Sequence, residues 1–363
     1  MAPDLNPTLG ESTSTSEEAT LHAPAALERH VWLRPFLRWE VALALIAVVV
    51  VVFGEASSTS FLTKGNLFYL CLSIGEVALM TLPMTLIVLT GEIDLSVAST
   101  MGMSSAIVGY LWMHGWSMPL AIVVALLAGA GGGLFNGLLV TRLGLPSLAV
   151  TIGTLELYRG VAVILLGPNT VSNFPASYTN IGIDPVPHTG FLSYSILIFL
   201  VFAIVFGVVM HATPFGRTLY AMGLNKEAAL YAGIRVKRTK TLLFVLSGLI
   251  SAMAGVLLTF RLATSVQDNG LGQELNVVAI VLLGGISIFG GKGTIAGVLL
   301  AVFVFAGFQN ALLLTNFDQR GLGVVTGSLL VISVLVPNAG RFAARIRELS
   351  RRRRRLRALA EQG

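Results

Sequence analysis

Apolar residues in this chain come in long unbroken blocks, without the strict alternation of a half-buried strand or the three-four spacing of a one-faced helix. The blocks fall at 36–54, 67–90, 95–113, 118–141, 147–166, 191–210, 241–262, 275–289, 294–314 and 321–337. A helix needs roughly 20 mostly apolar residues to cross the hydrocarbon core of a bilayer. One soluble core cannot absorb ten such blocks, so the pattern predicts an all-α, polytopic membrane protein of about ten transmembrane helices. The block at 275–289 is short for a span and predicts a broken or tilted helix there. The polar flanks divide the chain further: 1–35 as a disordered Ser/Thr-rich tail, 36–337 as the transmembrane domain, and 338–363 as a basic tail. The first tail lacks the basic stretch and apolar run of a cleaved signal, so the run at 41–53 reads as a retained anchor.

Composition agrees. Charged residues make up 12% of the 363, against roughly 25% in soluble domains, which leaves apolar surface for lipid. Cys71 is the single cysteine and cannot form an intrachain disulfide. The five histidines stand at no metal-ligand spacing with one another, with Cys71 or with a carboxylate, and the sequence calls for no cofactor.

Charge predicts orientation. With a cytoplasmic N-terminus and ten spans, twenty of the 24 Lys and Arg residues fall inside, from Arg29 to the nine arginines after Pro337. Only Lys64 and Arg320 fall outside, and Arg159 and Arg261 lie in or at the edge of spans. Such a split follows the positive-inside rule and places both termini in the cytoplasm. The run Arg351–Arg355 with Arg357 reads as an anchor to anionic lipid, not to nucleic acid.

The stretch 216–240 is then the largest cytoplasmic loop before the tail. Asn225 is placed to cap a short helix, 226–232 are helix formers, and Gly233 is a stop. The small residues Ala228 and Ala229 suit docking into a partner's groove, though an ordinary basic loop explains the pattern as well. The string NKEAALYAGI over 225–234 resembles the EAA-type loop of ABC importer permeases. GEIDLSVAST at 91–100, LGLPSLAVTIGTLELYRG at 143–160 and GLGQELNVVAIVLLGGISIFGGKGTIAG at 270–297 resemble segments of the ribose, xylose, rhamnose and autoinducer-2 permease family. Within it the chain looks most like rhamnose-type permeases and the smaller autoinducer-2 permease. It departs from the family's usual pattern at Glu92 and at Glu156.

The resemblance implies a type II-like ABC importer permease in the bacterial inner membrane. It implies an ABC ATPase subunit, a second permease copy or a related permease, an extracytoplasmic substrate-binding protein, and a sugar-like substrate. It also implies that Asn225, Glu227, Ala228, Ala229, Gly233 and Ile234 belong to the ATPase-coupling helix.

Two other classes stay on the page. An ion-coupled secondary transporter would use Asp94 or the pair Glu156 and Arg159. An intramembrane enzyme would need nucleophile, metal or elbow motifs that the sequence lacks. The P-loop pattern fails at Ile286 and Gly293, so the chain is expected not to hydrolyse ATP. Charges inside a span cost at least ~3 kcal/mol unless paired, which marks Glu76, Glu92, Asp94, Glu156, Arg159, Arg261 and Glu274. Glu156 and Arg159 stand three apart on one helix and are expected to pair. With Asn136, Gln309 and Asn310 they are the substrate-path candidates, each amide serving equally to tie helices together. Finally, IVLTGEIDL (87–95) echoes IVLLGGISI (280–288), the kind of internal match transporters built by duplication carry.

Overall fold

The structure, a computed structural model, describes residues 39–315, 317, 321–332 and 335. Both expected tails, 1–35 and 338–363, lie outside these residues. The helices are α1 (Trp39–Ser57), α2 (Lys64–Leu89), α3 (Val97–Met113), α4 (Met118–Thr141), α5 (Ser147–Leu166), α6 (Ala176–Ile183), α7 (Tyr194–Ala212), α8 (Pro214–Leu224), α9 (Lys226–Tyr231), α10 (Val236–Leu262), α11 (Gln273–Leu283) and α12 (Ile295–Leu314). A further apolar helix covers Gly321–Ile332.

Seven helices are long and apolar enough to cross a membrane: α1, α2, α4, α5, α7, α10 and α12. The other three expected spans correspond to shorter helices. α3 has 17 residues and α11 has 11. Eleven residues rise about 16 Å, half of a ~30 Å hydrocarbon core, so the block at 275–289 is a half-helix followed by a turn.

Burial sorts the helices into a centre and a rim. Every residue of α2 from Ile74 to Leu89 is buried, as expected of a helix that is apolar all round. It packs against α7, α10, α11 and α12. α1 lies at the rim against α12, with Leu45, Val49 and Val52 exposed as a lipid-facing surface. The Trp39 indole donates to the Leu283 carbonyl at 2.7 Å and fastens the start of α1 to the end of α11.

The largest helix contact joins α4 to α10, and glycine makes it possible. Gly129, Gly133 and Gly137 recur every fourth residue along one face of α4. A Cβ on Gly133 would collide with the Phe244 carbonyl of α10, and one on Gly248 with the Gly129 carbonyl of α4. The two backbones therefore touch directly, as small-residue faces permit in membranes.

The echo at 87–95 and 280–288 has a geometric counterpart. α2 and α11 end in the same turn: the Glu92 N–H donates to the Ile87 carbonyl, and the Ile286 N–H to the Val281 carbonyl, both at 3.3 Å. Gly91 (φ 76°) and Gly285 (φ 84°) supply the left-handed residue this cap requires. The structural match is offset by one position from the sequence match, which aligns Gly91 with Gly284.

Candidate functional site

α9 lies at the end of the bundle where α2 and α11 finish and α3, α10 and α12 begin. Asn225 caps it, its side-chain oxygen accepting from the Ala228 N–H at 3.0 Å. Gly233 (φ 82°) ends it, with the Ile234 N–H returning to the Ala229 carbonyl at 3.1 Å. One face of this short helix turns inward. Ala229 is 3% exposed and packs with Met222, Val236 and Ile234. Lys226, Glu227, Ala228, Leu230 and Tyr231 point outward, and Tyr231 is 93% exposed. The two alanines read alike in the sequence, but the structure separates them: Ala228 is exposed, whereas Ala229 is buried against its own chain. Leu224 and Tyr231, also bare here, carried no sequence signal beyond being apolar in a polar loop.

From α9 a tight backbone junction leads into the bundle. Gly223 of α8 abuts the Leu89 carbonyl at the end of α2 and Gly291 of the turn after α11. The Gly291 N–H donates to that same Leu89 carbonyl at 2.8 Å. The Tyr220 phenol donates to the Gly293 carbonyl at 2.7 Å, and burial raises it above its usual pKa. The turn's own amides are taken, Gly290 by Ser287 and Ser287 by Lys292. Beside it, Lys240 and Glu92 form an ion pair between α10 and the turn after α2.

Deeper lies a buried polar network. Asp94 accepts from the Ser96 hydroxyl (2.6 Å), the Ser96 N–H (3.0 Å) and the Ser247 hydroxyl (2.8 Å). Asn136 donates to Ser96 at 2.8 Å and accepts from Tyr158 at 3.3 Å. These groups satisfy one another, so Asn136 ties α3, α4 and α5 together.

The expected pair of Glu156 with Arg159 does not form. Arg159 instead donates through Nη1 to the carbonyls of Gln267 (3.0 Å) and Asn269 (2.9 Å). It passes Gly102 of α3, where a Cβ would sit 2.6 Å from Nη1. Two carbonyls of the non-helical stretch before α11 need donors, and the Arg159 Nη1 amino group serves both in place of a neighbour on its own helix. Glu156 is left on the outer surface of α5 beside Ile152 and Leu157. Gln309 donates to Thr326 at 3.3 Å, and Asn310 exchanges two hydrogen bonds with Asn66. Both amides join helices.

A cavity of about 260 Å³ opens between α2, the end of α10 and the start of α11. Its wall carries Glu76, Arg261, Asp268 and Asn269. The Arg261 Nε donates to Glu76 Oε1 at 3.0 Å. Among the described residues no group of three or more potential metal ligands occurs.

Known proteins resemble this chain over most of its length. The family described as "Branched-chain amino acid transport system / permease component" matches residues 66–334. The ribose import permease protein of Bacillus subtilis (strain 168) is 34% identical over 324 residues, 88% of this chain and 96% of the relative. The autoinducer 2 import system permease protein of Escherichia coli (strain K12) is 32% identical over 322 residues, 87% and 96%. The L-arabinose ABC transporter permease protein of Azospirillum brasilense is 34% identical over 329 residues, 90% and 94%. No solved structure gives a significant match.

Proposed function

The chain belongs to this family of transport-system permease components; it is a multi-pass membrane subunit of an ABC importer, and on that premise we propose that it passes a sugar or sugar-like solute through the bacterial inner membrane. The relatives' printed substrates, ribose, autoinducer 2 and L-arabinose, support this substrate class. The energy comes from an ABC ATPase subunit, since the Gly-rich turn departs from the P-loop pattern at Ile286 and Gly293 and its Gly290 and Gly291 amides are already hydrogen-bonded within the chain. An extracytoplasmic binding protein delivers the solute.

The observation that carries the proposal is the build of α9. It is fixed to its own chain on one side by Ala229 and bare on the other at Ala228, Leu230 and Tyr231. Apolar groups left bare outside the membrane-spanning helices mark a protein-docking surface. Asn225, Glu227, Gly233 and Ile234 shape and flank that helix, which takes up the ATPase. Its end of the bundle is the cytoplasmic one, as the distribution of Lys and Arg requires, and ten passes bring both termini there.

A second observation concerns assembly. Glu156 lies near the middle of α5 on its outer surface, between Gly153 and Gly160, where an added Cβ meets open space. A carboxylate facing lipid is costly. We infer that this face meets a second permease copy or lines the path between two.

The test is reconstitution of the chain with its ATPase and binding protein in proteoliposomes, using ribose, L-arabinose and autoinducer 2 as solutes. Uptake that requires ATP and all partners supports the proposal. Uptake by the chain alone under an ion gradient overturns it.

A further inference from the structure

The Glu76–Arg261 pair, like Lys240–Glu92, is a largely buried ionic contact, and it is incompletely satisfied. Glu76 is 2% exposed and receives Arg261 Nε and the Ser195 hydroxyl, both at Oε1. Its Oε2 is buried with no hydrogen-bond partner. An ionised carboxylate offers about four acceptor positions, and leaving half of them empty in a dry interior is costly. Arg261 is also left partly open, its side chain 21% exposed at the cavity wall.

The cavity they share holds roughly eight or nine waters' worth of volume at ~30 Å³ each, enough for one small polyol. Ser73, Asp268, Asn269 and Gln273 add polar groups, and Met101 and Leu258 add an apolar side. A sugar presents that combination: hydroxyls around its edge and C–H groups on its faces. The location fits too. One wall is the start of the half-helix α11, entered through left-handed Gly270 and Gly272. Another is α2, which carries Pro83 in its interior. Short or Gly/Pro-interrupted segments mark solute sites in secondary transporters.

We propose that this cavity is a solute-binding station within a single chain, where a small polyol donates hydroxyls to the Glu76 carboxylate and accepts hydrogen bonds from Arg261. The proposal rests on the importer function above and locates one step of it. The Nε–Oε1 contact orients the two side chains against each other and leaves Glu76 Oε2 without a partner inside the chain. Arg159 acts as a positioning residue, holding the carbonyls of Gln267 and of Asn269, which lines the cavity.

Binding to the purified full chain in nanodiscs, without ATP or partner proteins, tests the site separately from the importer function. Ser73→Cys in a Cys71→Ser background puts a thiol on the cavity wall. Its labelling by a water-soluble thiol reagent is followed with D-ribose or L-arabinose present. Saturable slowing of labelling by either sugar is expected. Glu76→Gln should raise the half-protecting concentration at least roughly tenfold, the affinity equivalent of one charge-assisted hydrogen bond. Gln273→Ala, at the rim and away from the ion pair, should weaken protection in the same direction and serves should Glu76→Gln fail gel filtration. Labelling unchanged by both sugars overturns the proposal even where the full importer transports them. Protection that persists at the same concentration in both variants overturns it as well. A failed importer function shows differently, as sugar protection without ATP-dependent uptake.

Discussion

At the residue scale, contacts across the bundle decide what each polar group does, and they invert some expectations from spacing. Glu156 and Arg159 share a helix, yet Arg159 serves backbone carbonyls about 110 residues away and Glu156 faces outward. Arg159→Ala should therefore lower thermal stability in detergent by an amount on the order of 2 kcal/mol, because two carbonyls lose a charged donor. Glu156→Gln should stay within about 0.5 kcal/mol while impairing assembly or uptake; equal destabilisation by the two would contradict the contacts described. Glycine gives a paired test. Gly133→Ala gains up to ~1 kcal/mol of helix propensity, but the added carbon meets the Phe244 carbonyl, so the melting temperature should fall. Gly153→Ala, with open space around it, should leave it equal or higher. In the sequence, Glu76 and Arg261 were legible as costly charges, but not as partners. They stand 185 residues apart, and no local period links them. The Gly129, Gly133 and Gly137 spacing was visible in principle and marks where α10 touches α4.

At the element scale, hydrophobic blocks were the most legible feature, since a bilayer enforces their length. The predicted edges of the central helices agree with the structure to within a few residues. The half-helix at α11 was legible as a block too short to span, and α9 from its Asn225 cap and Gly233 stop. What the sequence did not reveal was which side of α9 faces in, because six residues make under two turns and both alanines look alike. The consequence is testable by paired substitutions. Ala228→Glu should leave the chain monodisperse and as heat-stable as wild type while abolishing co-purification of the ATPase, since it places a charge on the docking face. Ala229→Glu should instead disturb the chain itself, burying a carboxylate among Met222, Ile234 and Val236, seen as a lowered melting temperature before any partner is added. If both variants retain the ATPase, α9 is not where it docks.

At the scale of the whole molecule, the charge distribution and the alternation of helices bear on the same axis. In cells, Asn180→Cys, exposed in the loop that carries α6, should react with an impermeant thiol reagent added outside. Lys226→Cys in α9 should react only after permeabilisation, both in a Cys71→Ser background. The reverse pattern would invert the orientation and detach α9 from any cytoplasmic partner. The glycine edge between α4 and α10 carries one more consequence, and it concerns time. α4 is complete at Thr141, but the helix it must touch is not finished until Leu262. At roughly 5–20 residues per second the ribosome takes about 6–24 s to make the intervening chain. Throughout that wait the edge of α4 lacks its mate, with only α3 and α5 as close-packed neighbours already made. The yield of correctly assembled protein thus depends on how fast 142–262 are translated, and slow codons there should lower it without changing a single amino acid.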